Sequence, residues 1–293
     1  MDGLMMVMAV LAILVLALMA IHARQRRRRF ANQAYRESLT ACQALLAMIS
    51  GIQQHRGLSS AWLAGDNSFR PRLTVLENDI AQRLPELQAA IRNEARQPAP
   101  CLTGNALALF SHHWRNLCER LGELSIEQSV AQHTMMIEML LKWLQALGEA
   151  RIEPVVADAA RPQVRDYLTR LPAITECLGQ ARALGMSVST RQGCPAVARV
   201  RLMFLVSRAE SLFKQVSDHG RQATEATAAF QHMARIIRTQ MLQASGITIS
   251  PQAYFSLSTA AIDAVFAWID HSVQGLRDAP QQQEAPHAGV YAH

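Results

Sequence analysis

Residues 30–65 read FANQAYRESLTACQALLAMISGIQQHRGLSSAWLAG. In this stretch Leu39, Cys42, Leu45, Leu46, Ile49, Ile52 and Gln53 recur at spacings of three and four, which places them on one stripe of a helix. The run closes on Gly65-Asp66-Asn67, where a glycine can take the left-handed conformation that ends a helix. A helix over Phe30–Ala64 follows. The rest of the chain repeats its pattern: helical periods, sparse β-branched residues and no sustained alternation. The fold class is all-α.

Upstream, Leu4 to Ile21 is 18 residues without a charge. A helix of ~20 apolar residues spans the hydrocarbon core of a bilayer. The run is followed by Arg24, Arg26, Arg27, Arg28 and Arg29, against a single acidic residue, Asp2, before it. Charge on that side opposes a cleaved signal peptide, which carries its positive residues ahead of the apolar run. Residues 1–23 are therefore predicted to form a transmembrane anchor and residues 24–30 a basic juxtamembrane segment that contacts membrane lipid. Under the positive-inside rule the N-terminus lies outside and the remainder in the cytoplasm. The expected location is the inner (cytoplasmic) membrane, single-pass.

Downstream, Pro71 suits the first turn of a helix reaching about Arg96, and Gln97-Pro98-Ala99-Pro100 breaks it. Helices follow over about 103–122 and 126–152, the second opened by Ser125 and Gln128 as a capping box. Glu153-Pro154 marks a boundary. Further helices are predicted over about 162–191, interrupted near Pro172, then 196–218, 221–245 and 251–277. This reading gives two packed antiparallel helical bundles sharing long helices, about 31–153 and 154–277, with residues 278–293 a disordered tail.

The formal net charge is +6; removing the five arginines of residues 24–29 leaves 6 − 5 = +1. The folded part thus has no charge excess for nucleic acid, and no nucleic-acid partner is expected. Cys42, Cys101, Cys118, Cys177 and Cys194 are odd in number, and no two have the close sequence spacing of zinc ligands, so no metal is assigned. There is no phosphate-binding glycine loop, no H-E-x-x-H and no G-x-S-x-G. Nothing points to an enzyme or a cofactor.

Two arginines stand out. Arg56 lies ahead of an apolar run ending at Trp62 and Leu63, and Arg182 lies between Leu178 and Leu184. A guanidinium on a buried face needs a partner, because an isolated charge is costly to desolvate. That partner is a carboxylate, with Glu138, Glu176 and Glu210 as candidates, or a bound anion, since the planar fork suits a planar oxyanion. Gln54-His55-Arg56-Gly57-Leu58-Ser59 is echoed by Gln180-Ala181-Arg182-Ala183-Leu184-Gly185.

Three segments together resemble the nitrate- and nitrite-sensing (NIT) domain family. Gln53 to Gly65 is similar to its first signature, Gln-x-Glu-Arg-Gly-Leu-Ser followed by an aromatic residue and Leu. Gln180 to Gly185 resembles its counterpart in the second half. Ile249 to Asp263 resembles the closing helix, where the pair Tyr254-Phe255 precedes Thr259 and Ile262-Asp263. The resemblance covers about residues 40–277. It implies two bundles sharing long helices, usually in a homodimer, with nitrate or nitrite held between helices by arginines. Arg56 and Arg182 match the ligand arginines by motif, and Arg235 or Arg238 is the candidate for a third. His55 stands where the family has Glu and belongs to the expected ligand set. Family members commonly feed an output module. None follows residue 277, so the signal is expected to pass to a partner protein. The competing reading is a helical scaffold that binds no anion.

Overall fold

The computed structural model describes residues 2–97, 99–217, 220–242 and 246–278, without the side chains of residues 2–7, 9, 10, 12 and 28. The described residues form nine α-helices: α1 (Asp2–Leu63), α2 (Arg70–Glu94), α3 (Gly104–Arg120), α4 (Ile126–Leu147), α5 (Arg161–Arg165), α6 (Leu171–Thr190), α7 (Ala196–Phe213), α8 (Arg221–Ile236) and α9 (Pro251–Asp278). No strand occurs among them. The expected tail falls almost wholly outside the described residues.

Helix α1 runs unbroken for 62 residues, roughly 90 Å at the usual helical rise. Its described side chains before Ala34 are exposed, and burial begins at Tyr35. From there Leu39, Cys42, Leu45, Met48, Ile49 and Ile52 are fully enclosed. Each such apolar side chain stabilises the fold by about 1.5–3 kcal/mol relative to exposure. One side of α1 packs on α2 and α4 and another on α6, while α6 also packs on α7 and α9, and α8 on α9. The Tyr35 hydroxyl donates to the Leu276 carbonyl (3.1 Å), fastening the start of the buried part of α1 to the end of α9.

The helix ends follow local chemistry. Gly65 has φ +114°. The amide of Asp66 donates to Ala61 O (3.1 Å) and that of Gly65 to Trp62 O (2.9 Å), the paired bonds of a Schellman motif. Ser125 and Gln128 form the expected capping box at the start of α4. The interruption expected near Pro172 is a π-helical turn, Asp166–Arg170, joining α5 to α6. Pro172 has no N–H to donate and its ring crowds the carbonyl of Leu168, so the regular ladder loosens just before it.

The expected transmembrane span does not hold. Among the described residues no helix is long and apolar enough to cross a membrane. The uncharged run of residues 4–21 is continuous with the rest of α1, and the same helix takes on charge at Arg24. The predicted transmembrane helix, its outward-facing N-terminus, the lipid contact and the inner-membrane location are withdrawn together. The arginine segment is a stretch of α1 in which Arg24, Arg26, Arg27 and Arg29 are exposed.

Candidate functional site

The interface between α1 and α6 brings the two singled-out arginines together. Both are fully buried, at 0 % exposure. They approach because each lies against a glycine of the opposite helix. A Cβ on Gly57 of α1 would sit 3.0 Å from Arg182 Nε, and one on Gly179 of α6 would sit 2.7 Å from Arg56 Nη2. Two residues without side chains thus make room for two guanidiniums.

The two have different surroundings. Arg56 meets Glu176 in a bidentate pair, Nη1 to Oε1 at 2.7 Å and Nη2 to Oε2 at 3.0 Å. Its Nη1 also donates to Thr134 Oγ1 of α4 (2.9 Å). Glu176 accepts further bonds from Gln53 Nε2 (3.1 Å) and Gln180 Nε2 (2.8 Å). Arg182 has no carboxylate pair among the described residues. Its Nη1 donates to Thr259 Oγ1 (3.1 Å), and its guanidinium carbon lies 5.6 Å from the centre of the Phe255 ring, a cation–π contact. Burial, assisted by the nearby Arg56 charge, lowers the Arg182 pKa to about 10. Asp263 is shifted upward by its own burial, with Arg182 opposing that shift.

Three N–H-bearing nitrogens at this interface have no hydrogen-bond partner: Arg56 Nε, Arg182 Nε and Arg182 Nη2. Gln53 Oε1 is likewise unpartnered. Leaving a buried polar group unsatisfied costs about 1–3 kcal/mol, and more for a charged one. Native interiors seldom keep several such donors in one place without a reason.

The third segment of sequence builds the wall behind Arg182. Tyr254 of α9 donates through its hydroxyl to Ala181 O (2.8 Å), and its ring fills the space above Gly185, where a Cβ would come within 2.2 Å of it. Phe255 and Thr259 touch Arg182 itself. Alongside, a cavity of about 400 Å³ between α4 and α6 is lined by Thr134, Glu138, Gln180, Leu184 and Arg201. Thr134 and Gln180 therefore reach both the cavity and the Arg56–Glu176 pair.

The other sequence candidates lie elsewhere. Arg235 and Arg238 are exposed, and Arg238 donates to Glu210 of α7 (2.7 Å). The buried stripe of α8 is Ala223, Ala226, Phe230, Met233 and Ala234; Arg235 falls off it, and Arg238 lies in the π-helical turn that follows, Ile237–Met241. His55 points away from Arg56 into the α1–α2–α4 side. Its Nδ1 lies 2.7 Å from His133 Nε2, and its Nε2 lies 3.4 Å from Glu77 Oε1. Burial lowers the pKa of both rings, with Glu77 opposing the shift on His55. Thr134, Thr259, Gly57 and Gly179 were not foreseen as parts of the site. The only sequence signal for the last three was their place within or beside the three segments that resemble the family.

A buried, partly unsatisfied arginine pair at the contact of α1 and α6 in an all-α bundle defines the class of fold and site. The family profile described as nitrate and nitrite sensing (NIT) matches residues 47–275, and the chain belongs to that family. It is similar to the solved structure of the NasR transcription antiterminator, with a TM-score of 0.68 and 18 % identity over 88 % of this chain and 73 % of that one. No curated protein matches it.

Proposed function

We propose that the chain is a non-enzymatic sensor that binds nitrate or nitrite between Arg56 of α1 and Arg182 of α6. The observation that carries this reading is the set of three unpartnered N–H-bearing nitrogens on two fully buried guanidiniums. A small planar oxyanion accepts in the geometry those forks present. Membership of the nitrate- and nitrite-sensing family supports the same ligand class. The sensing unit is residues 31–277, and the cavity beside Thr134 and Gln180 supplies access.

Glu176 gives the reading a mechanism. A carboxylate is itself a planar, two-oxygen anion, and it already occupies the fork of Arg56. Arriving nitrate or nitrite competes with it for Arg56 and offers acceptors to Arg182. Glu176 lies at the rim, with 10 % of its side chain exposed, and can turn outward. The exchange alters the α1–α6 contact, and a change that favours one helix arrangement over another is what transmits a signal. A homodimer and a downstream protein complete the picture.

The bidentate Arg56–Glu176 pair also suits the scaffold reading, in which the carboxylate is permanent. Calorimetric titration of the full chain with nitrate and nitrite separates the two. Saturable binding that is lost in Arg182→Ala supports the sensor. No heat and no thermal shift at millimolar anion leaves the scaffold standing.

A further inference from the structure

On the opposite side of α1, a second constellation has no part in anion binding. His55 of α1, Glu77 of α2 and Cys118 of α3 each direct a potential ligand atom to one spot, and the three atoms lie within 4.8 Å of one another. His55 is buried, while Glu77 and Cys118 are partly exposed.

The hydrogen bonds fix how His55 presents itself. His133 Nδ1 lies 2.7 Å from the Ser129 carbonyl, which can only accept, so that nitrogen carries the proton. In a neutral ring His133 Nε2 is then an acceptor, and its partner at 2.7 Å, His55 Nδ1, must donate. The chain of protons ends at His55 Nε2, which is left with a lone pair. That lone pair faces Glu77 Oε1 at 3.4 Å, so one acceptor confronts another. A cation between them turns repulsion into coordination. Metal-bound histidines usually donate their second ring N–H to an outer partner, as His55 does to His133.

We propose that His55, Glu77 and Cys118 form a three-ligand site for a borderline divalent ion such as Zn²⁺, with His133 as the outer hydrogen-bond partner. Imidazole, carboxylate and thiolate together suit zinc, and three protein ligands leave the fourth tetrahedral position for water. Tetrahedral ligands at ~2.0–2.3 Å from the metal are about 3.3–3.8 Å apart. The His55–Glu77 spacing already meets that. The nearest opposing charge is Arg70, whose Nη1 lies 3.8 Å from Glu77 Oε1; its half-exposed side chain can turn to water. The site escapes sequence reading because its ligands come from three helices, 22 and 41 residues apart in the chain.

The test uses the purified full chain, stripped of metal with a chelator and titrated with Co²⁺. One cobalt per chain with a thiolate-to-cobalt charge-transfer band is expected, displaced by one equivalent of Zn²⁺. Cys118→Ser is expected to abolish the band. Glu77→Gln, at the partly exposed rim, removes a direct ligand and is expected to weaken binding by at least the roughly tenfold that losing an outer partner costs, while helical content stays unchanged. Failure of the native chain to bind cobalt or zinc at micromolar concentration overturns the proposal, and is the result expected if the Cys118 thiol proton itself bridges the acceptors. A band that persists in Cys118→Ser overturns it as well, since another cysteine then supplies the sulfur. Nitrate titration of Cys118→Ser is independent of both outcomes.

Discussion

Arg56 and Arg182 sit in echoed sequence segments, on facing helices, each against a glycine of the other, yet their environments differ. Arg56 has a carboxylate in its fork, whereas Arg182 has a threonine, an aromatic ring and two unpartnered nitrogens. The first resembles a finished structural ion pair. The second has the form of a site still short of its counter-ion. The difference teaches that burial of an arginine does not by itself mark a ligand site. In the proposed reading, what marks it is a charge whose donors the protein leaves unmatched.

The largest effect that separates the two is on binding. Arg182→Ala removes the unmatched guanidinium and is expected to abolish nitrate and nitrite binding with little loss of stability, because a desolvated charge without a carboxylate pair disappears with it. Arg56→Ala is expected to abolish binding and also to cost about 1–3 kcal/mol in chemical denaturation, since it removes the charge-assisted hydrogen bonds to Glu176. Equal stability losses in the two variants break the comparison.

Glu176→Gln comes next. If the carboxylate competes with the ligand, the neutral amide raises nitrate affinity about tenfold or more by calorimetry. A loss of affinity instead places Glu176 on the ligand's side. The pH dependence is a third test. The Arg182 pKa of about 10 lies below the ordinary arginine value, so this side chain releases its proton at lower pH than a free arginine does. Anion binding needs the cation, so affinity is expected to hold level from pH 7 to 9 and to fall as pH passes about 10. A bound anion delays that fall by favouring the charged form.

Smaller effects probe the surroundings. Gly179→Ala presses on Arg56 Nη2, the end of a flexible side chain, and a several-fold loss of affinity with near-native melting is expected. Tyr254→Phe removes one hydrogen bond behind Arg182 and is expected to cost about 1 kcal/mol of stability. Arg235→Ala and Arg238→Ala are expected to leave anion binding unchanged, since both side chains are exposed.

Much of this was readable from residue order. The stripe from Leu39 to Ile52, the turn at Gly65, the Ser125 capping box and the break before Pro172 all rest on local chemistry, and local chemistry is what a sequence displays. So does the selection of Arg56 and Arg182, two charges amid apolar neighbours. The choice of Glu176 over Glu138 and Glu210 was not readable, because it depends on how α1 and α6 cross. His55 illustrates a sharper point: adjacent residues on a helix diverge by about 100°, so the neighbour of Arg56 was bound to face another bundle wall. Of the two candidates for a third arginine, Arg235 lies off the apolar period that α8 displays. The apolar run before Arg24 was read by composition alone, whereas among the described residues no helix is long and apolar enough to cross a membrane.

The most direct measurement is calorimetric titration of nitrate into the native chain and into Arg182→Ala under identical conditions. Saturable binding of one anion per chain by the native protein, with no detectable heat from the variant, is the predicted result. Binding of equal strength in both, or in neither, contradicts the assignment of Arg182 as the unmatched half of an anion site.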